Sequence, residues 1–203
     1  MRKIAIYGGS FNPPHIGHLN AARSFFRQTG ADELIIIPSF IPPHKECIDF
    51  ASAEDRLNMC RLNFQGIEGT SVSDIEISRG GKSYTYITLE KFYRPDTELY
   101  FLVGTDMLLT LDEWMHPEKI LKYAILCYVR READEAISDK ISDSISSLEL
   151  KYGCKIMKIN AEVNEISSTE IRDAIKRGLD TSSYILPEVF DYILKNRVYF
   201  DEN

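Results

Sequence analysis

Sulfur is scarce and unpatterned in this chain: its four cysteines, at positions 47, 60, 127 and 154, form no CxxC pair. That excludes a zinc ribbon or a disulfide scaffold and suits a reducing compartment. Long apolar runs are also missing. No stretch approaches the roughly 20 residues needed to span a bilayer. No apolar signal core follows Met1, where a strand-like run, Lys3-Ile4-Ala5-Ile6-Tyr7, begins almost at once. The expectation is a cytoplasmic protein with no membrane attachment. Positive charge is in deficit, with 24 Lys and Arg against 31 Asp and Glu and a net charge of −7. Such a surface repels polyanions, which argues against nucleic acid as a partner. A small anionic substrate would then need a local positive pocket, built from a few residues. Neither GxGxxG nor a KMSKS-like lysine run occurs.

What is present is 44% hydrophobic residues over 203 positions, enough to bury a core unaided. The length suits a single α/β domain spanning 1–203, its C-terminal part from about 165 to 203 forming a small helical subregion. Strands are predicted at 3–7, 33–38, 71–77, 98–103, 124–129 and 155–159. Leu34-Ile35-Ile36-Ile37 and Tyr100-Phe101-Leu102-Val103 are apolar throughout, as in a parallel sheet covered on both faces. Helical spacing appears at 19–28, 53–64, 85–93, 137–150, 168–176 and 187–195. Strand–helix alternation predicts a doubly wound, Rossmann-like parallel sheet, with ligands outside the carboxyl ends of its strands.

The unusual residues do follow strands. After the first comes Gly8-Gly9-Ser10-Phe11-Asn12-Pro13-Pro14-His15-Ile16-Gly17-His18. Gly8 and Gly9 permit a tight turn and close approach of backbone to a ligand. His15 and His18, three apart, share one side of a beginning helical turn. That helix start adds N–H donors and positive dipole, a ready anion site. A His-x-x-His pair could also be half a metal site, but no nearby Cys, Asp or Glu completes it. Far down the chain runs Ile166-Ser167-Ser168-Thr169-Glu170-Ile171-Arg172. Ser167 with Glu170 makes a capping box, and Arg172 stands one turn inside the helix it starts. Both segments could face the same anion.

Three further segments carry groups able to bind a ligand. Ile37-Pro38-Ser39-Phe40-Ile41-Pro42-Pro43-His44-Lys45 is a stiff loop ending in a lysine. Ser83-Tyr84-Thr85 puts donors at a helix start, which suits a carboxylate better than a neutral amide. Gly104-Thr105-Asp106 offers close approach and a carboxylate for ribose hydroxyls, and Trp114 is the single tryptophan, a core residue or a stacking platform.

The eleven-residue run from Gly8 to His18 resembles the signature of the HxGH nucleotidyltransferases, and its GGSFxPxHxGH form is similar to that of the bacterial nicotinate-nucleotide adenylyltransferases. Residues 166–172 resemble the family's ISSTxIR motif, 38–45 its PxxxPPHK loop, 83–85 its SYT motif and 104–114 its GxDxxxxxxxW motif. The motifs stand in the family's order over nearly the whole chain. The resemblance implies transfer of the adenylyl group of ATP, carried with Mg²⁺, to nicotinate mononucleotide, by direct in-line attack without a protein nucleophile. It implies His15, His18 and Arg172 as the catalytic set. Gly8, Gly9, Ser10, Phe11 and Gly17 would meet ATP from one side, Ile166, Ser167, Ser168 and Thr169 from the other, with Gly104 and Asp106 at the ribose. Lys45, Ser83, Tyr84, Thr85, Trp114 and Met115 would bind nicotinate mononucleotide. No residue is assigned to a metal. The chain departs from the family at Ser39-Phe40, where some members carry asparagine, at Met115, often aromatic, and at Arg130-Arg131-Glu132, usually Arg-Pro-Gly.

Nicotinamide mononucleotide or phosphopantetheine as acceptor, and a non-catalytic ATP-binding module, are the alternatives. The PPHK and SYT segments speak against phosphopantetheine, and intact His15, His18 and Arg172 against a module. Self-association is left open. The whole expectation requires His18 and Arg172, from opposite ends of the chain, to face one cavity.

Overall fold

The computed structural model describes residues 1–43, 50–130, 137–162 and 166–200. Six strands form one parallel sheet: β1 (Arg2–Gly9), β2 (Glu33–Pro38), β3 (Thr70–Val72), β4 (Thr97–Gly104), β5 (Ala124–Val129) and β6 (Ile156–Ile159). Their spatial order is β3-β2-β1-β4-β5-β6. The chain winds outward from β1 in one direction, then returns to β4 and winds in the other. The two halves part between β1 and β4, where a doubly wound sheet opens its ligand crevice.

The continuous apolar runs explain the layering. Successive strand side chains point to opposite faces. Ile4, Ile6, Ile35, Ile37, Phe101 and Val103 therefore build one core. Ala5, Tyr7, Leu34, Ile36, Tyr100 and Leu102 build the other. Helix α1 (Ile16–Thr29) covers the second face through Leu19, Ala22 and Phe25, and ends at Gly30 in the left-handed conformation, φ 59°. Ser52 caps α2 (Ala53–Phe64), its Oγ accepting the Asp55 N–H at 3.0 Å. A third cluster packs α8 (Ser168–Lys176) and α9 (Pro187–Lys195) against Met59 of α2, through Ile171, Ile175, Val189 and Ile193.

One expected strand is corrected. Of 71–77, only the first part is extended, because β3 stops at Val72 and α3 (Ile75–Arg79) follows. The polar pair Ser73-Asp74 diverts the backbone. Ser73 Oγ accepts the Ile75 N–H at 3.3 Å, and the Ser78 hydroxyl donates to Asp74 Oδ2 at 2.8 Å. Such local side-chain bonds compete with a sheet ladder. Between α4 (Thr85–Phe92) and α7 (Ser138–Tyr152) lie the short helices α5 (Thr105–Leu109) and α6 (Pro117–Tyr123) and a 3₁₀ turn, Leu111–Glu113. These are too short to show a helical period, and none was expected. Helix α1 starts three residues earlier than its apolar spacing suggests, placing His15 at the N-cap and His18 in the first turn. No helix among the described residues is long and apolar enough to cross a membrane.

Candidate active site

The loop from β1 to α1 is anchored from below. Phe11 is buried, with φ 47°, and meets the rings of Tyr7 at 5.3 Å, His18 at 5.1 Å and Phe64 at 5.7 Å. A Cβ on Gly9 would come within 3.0 Å of the Phe11 ring, so glycine is what lets this turn close. His15 and His18 are buried, with ring centroids 3.8 Å apart. The backbone N–H of His15 donates to His18 Nδ1 at 3.3 Å. An accepting Nδ1 is unprotonated, so the neutral ring carries its proton on Nε2 as a donor.

Helix α8 comes to the same loop from the far end of the chain. Its capping box is complete. Ser167 Oγ accepts the Glu170 N–H at 3.2 Å, and the Ser167 N–H donates to Glu170 Oε2 at 2.8 Å. The Ser167 hydroxyl and then its N–H hold the Glu170 carboxyl below its ordinary value. The Ser168 hydroxyl donates to the Pro13 carbonyl, and Arg172 Nη1 to the Asn12 carbonyl, each at 2.9 Å. Asn12 is a buried junction whose Oδ1 accepts from the Ala51 N–H at 3.0 Å and the Tyr199 hydroxyl at 2.8 Å. His15, His18 and Arg172 thus share one cavity of about 810 Å³.

Gly8, Gly9, Ser10 and Phe11 line that cavity beside the histidines, and Ile166, Ser167, Ser168 and Thr169 line it beside Arg172. Gly104 and Asp106, where β4 gives way to α5, line it between them. Gly17 does not, because residues between two histidines three apart point around the helix to another side.

The same cavity is also walled by Ser39, Pro42, Pro43, Ser83, Thr85 and Trp114, among others. The loop after β2 is laced to the start of α4. The Phe40 N–H donates to Ser83 Oγ, and the Ser83 N–H to the Ile41 carbonyl, each at 2.9 Å. Beneath them, buried Glu76 accepts from the Thr88 hydroxyl at 2.6 Å and is also hydrogen-bonded to Ser83. Burial pushes the Glu76 carboxyl up, with Thr88, Ser83 and Arg79 partly offsetting it. The Ser83 hydroxyl is therefore engaged within the protein, and Ser83 itself lines the cavity. The unspent donors of this segment are the N–H groups of Thr85 and Tyr86, since those of Ile87 and Thr88 both turn to the Tyr84 carbonyl. Tyr84 does not line the cavity; its ring turns toward Tyr86 at 6.3 Å. Trp114 packs against the core with one part and walls the cavity with another. Met115 lies elsewhere. It is 47% exposed and absent from the cavity wall, because the extended chain after Trp114 sends the next side chain to the other side. Lys45 lies outside the described residues.

Residues 6–174 match the family model described as cytidylyltransferase-like. The chain belongs to that family. A relative from Carboxydothermus hydrogenoformans is 38% identical over 97% of this chain and 98% of its own, and one from Listeria monocytogenes is 35% identical over 97% of each. Both carry the name "Probable nicotinate-nucleotide adenylyltransferase". Among solved structures, the Plasmodium falciparum nicotinic acid mononucleotide adenylyltransferase complexed with NaAD shares the fold, with TM-score 0.76 at 23% identity over 98% of each chain. In this cytidylyltransferase-like chain, Asn12 and Glu76 are two polar wall residues to which the sequence reading gave no role. Asn12 stands inside the first motif without a chemical signature of its own, and Glu76 lies in what reads as a strand.

Proposed function

We propose that this chain transfers the adenylyl group of ATP to nicotinate mononucleotide, giving nicotinate adenine dinucleotide and pyrophosphate. One observation carries the reading: the helix start at His15–His18 and the helix start at Ser167–Arg172 open on one cavity, whose wall also includes Thr85 at the start of α4 and the Trp114 indole. Two helix starts, two imidazoles and a guanidinium supply the positive pocket that a chain of net charge −7 needs for a triphosphate.

In this assignment the α-phosphate lies against the backbone of Gly9 to Phe11, and the His18 Nε2–H and His15 donate to the reacting and leaving oxygens. Arg172 and the Ser167–Thr169 helix start hold the β- and γ-phosphates. Asp106 accepts from ribose hydroxyls. The nicotinate carboxylate meets the Thr85 N–H at the start of α4, and Trp114 stacks on the ring. The acceptor phosphate lies beside the loop after β2, whose Ser39 lines the wall. That phosphate attacks the α-phosphorus in line, and pyrophosphate departs. Catalysis is by positioning and charge stabilisation. No thiol competes as nucleophile in the described wall, and burial pushes the Cys127 thiol up to about 12. Mg²⁺ enters with ATP, held by phosphate oxygens and water. No group of three or more His, Cys, Asp or Glu among the described residues could cage it.

Pyrophosphate release from ATP and Mg²⁺ tests this, with nicotinate mononucleotide, nicotinamide mononucleotide and phosphopantetheine offered in parallel. Release with the first alone is expected. Release with none defeats the enzyme assignment, and preference for the amide defeats the role given to α4.

A further inference from the structure

Arg56 is the largest side chain fully buried in the described protein, at 1% exposure, and it does not line the cavity. It stands on the inner stripe of α2 with Cys60 and Asn63. Its guanidinium reaches the backbone of three separate segments. Nη1 donates to the Ser39 carbonyl at 2.6 Å and to the Ser10 carbonyl at 2.9 Å. Nη2 donates to the Phe40 carbonyl at 3.1 Å, and Nε to the Ala51 carbonyl at 3.2 Å. The Phe50 ring covers the group, 5.5 Å from its centroid to Cζ.

Two of these segments are the loops that face the two substrates. Ser10 belongs to the loop after β1, on the triphosphate side; Ser39 and Phe40 belong to the loop after β2, on the acceptor side. A direct bond, from the Ser39 N–H to the Gly9 carbonyl at 2.9 Å, runs beside the arginine. Burying a full charge costs several kcal/mol unless its hydrogen bonds are met. Four carbonyl bonds meet that need here, and a guanidinium so engaged at the junction of two loops does more than fill space. Its planar fork spreads five donors over three nitrogens and here serves four carbonyls, whereas the ammonium of lysine has three donors on one nitrogen.

We infer that Arg56 is a positioning residue that holds the loops after β1 and β2 in register, so that the α-phosphorus and the acceptor phosphate meet in line. This rests on the adenylyl-transfer reading above. A misplacement of 1 Å between reacting groups costs about 10²-fold in rate.

The test uses Arg56→Lys, which keeps the charge and most of the stem, and Arg56→Ala with and without added guanidinium. Melting temperature is measured first, then kcat, the KM of each substrate, and amide hydrogen exchange of residues 9–12 and 39–41 without ligands. Folded Arg56→Lys should lose about 10²-fold in kcat, with ATP affinity changed by less than about threefold. Exchange should quicken in both loops together, and guanidinium should restore turnover to Arg56→Ala. Folded variants with parental kcat and unchanged loop exchange overturn the inference. Failure of both to fold makes Arg56 a support of the whole fold and overturns it equally. An unsubstituted protein that releases no pyrophosphate would sink the adenylyl-transfer reading instead, while loop exchange still reports on Arg56.

Discussion

The His15 N–H bond to His18 Nδ1 decides which ring nitrogen carries the proton before any substrate arrives. A donor aimed where charge develops in the transition state is worth roughly 10²–10³ in rate when removed. Under the proposed adenylyl transfer, His18→Ala should therefore lower kcat by at least about that factor, while ATP continues to bind. Single-turnover kinetics beside a direct ATP titration separate the two effects, and near-parental turnover would refute the role. At this scale the histidines, Arg172 and Trp114 were legible, because their side chains are chemically distinctive. Glu76 was not. Nothing local marks it as buried, and its hydrogen bonds to Thr88 and Ser83 are made only once α3 and α4 lie together.

Helix starts are where sequence and geometry agree most closely, since a cap is a bond between residues three apart. The Ser167–Glu170 box is the clearest case. The Glu170 carboxyl titrates below its ordinary value of 4.5 in the folded protein. A depressed folded pKa adds stability that is present above 4.5 and lost as pH falls through the lower folded value. Glu170→Gln should thus be less stable than the parent at neutral pH, and the gap should narrow below pH 4.5. Denaturant melts across pH 3 to 7 check this (roughly the span of the linkage); a gap independent of pH would exclude the charge. The expected strand at 71–77 shows the limit of local reading. Apolar alternation carried past Val72, but two polar side chains turned the backbone into α3, and only their hydrogen bonds show it.

Across the whole molecule, the last described segment closes onto the first loop. The Tyr199 hydroxyl reaches Asn12 Oδ1 at 2.8 Å across 187 positions of sequence. Burial pushes the phenol well up, so it remains a donor at ordinary pH. Tyr199→Phe removes one such bond, worth about 1 kcal/mol. The melting midpoint should fall by about 2–4 °C for a chain of this size. Because Asn12 also accepts Arg172 through its carbonyl, the KM for ATP should rise as well. Calorimetry and initial rates measure both, and an unchanged midpoint would mean that the tie contributes nothing.

The sequence by itself determined the layered parallel sheet, the capped helices and the motifs at strand ends. Alternation, helical spacing and caps act between residues no more than a few positions apart, where the chain's own geometry brings them together. Tertiary structure alone decided that His18 and Arg172 share a cavity, that the Ser83 hydroxyl is engaged beneath it, that Met115 lies outside it, and that Arg56 and Asn12 brace its loops. Those outcomes depend on hydrogen bonds between segments tens to more than a hundred residues apart. Only the crossover from one half of the sheet to the other makes such partners neighbours.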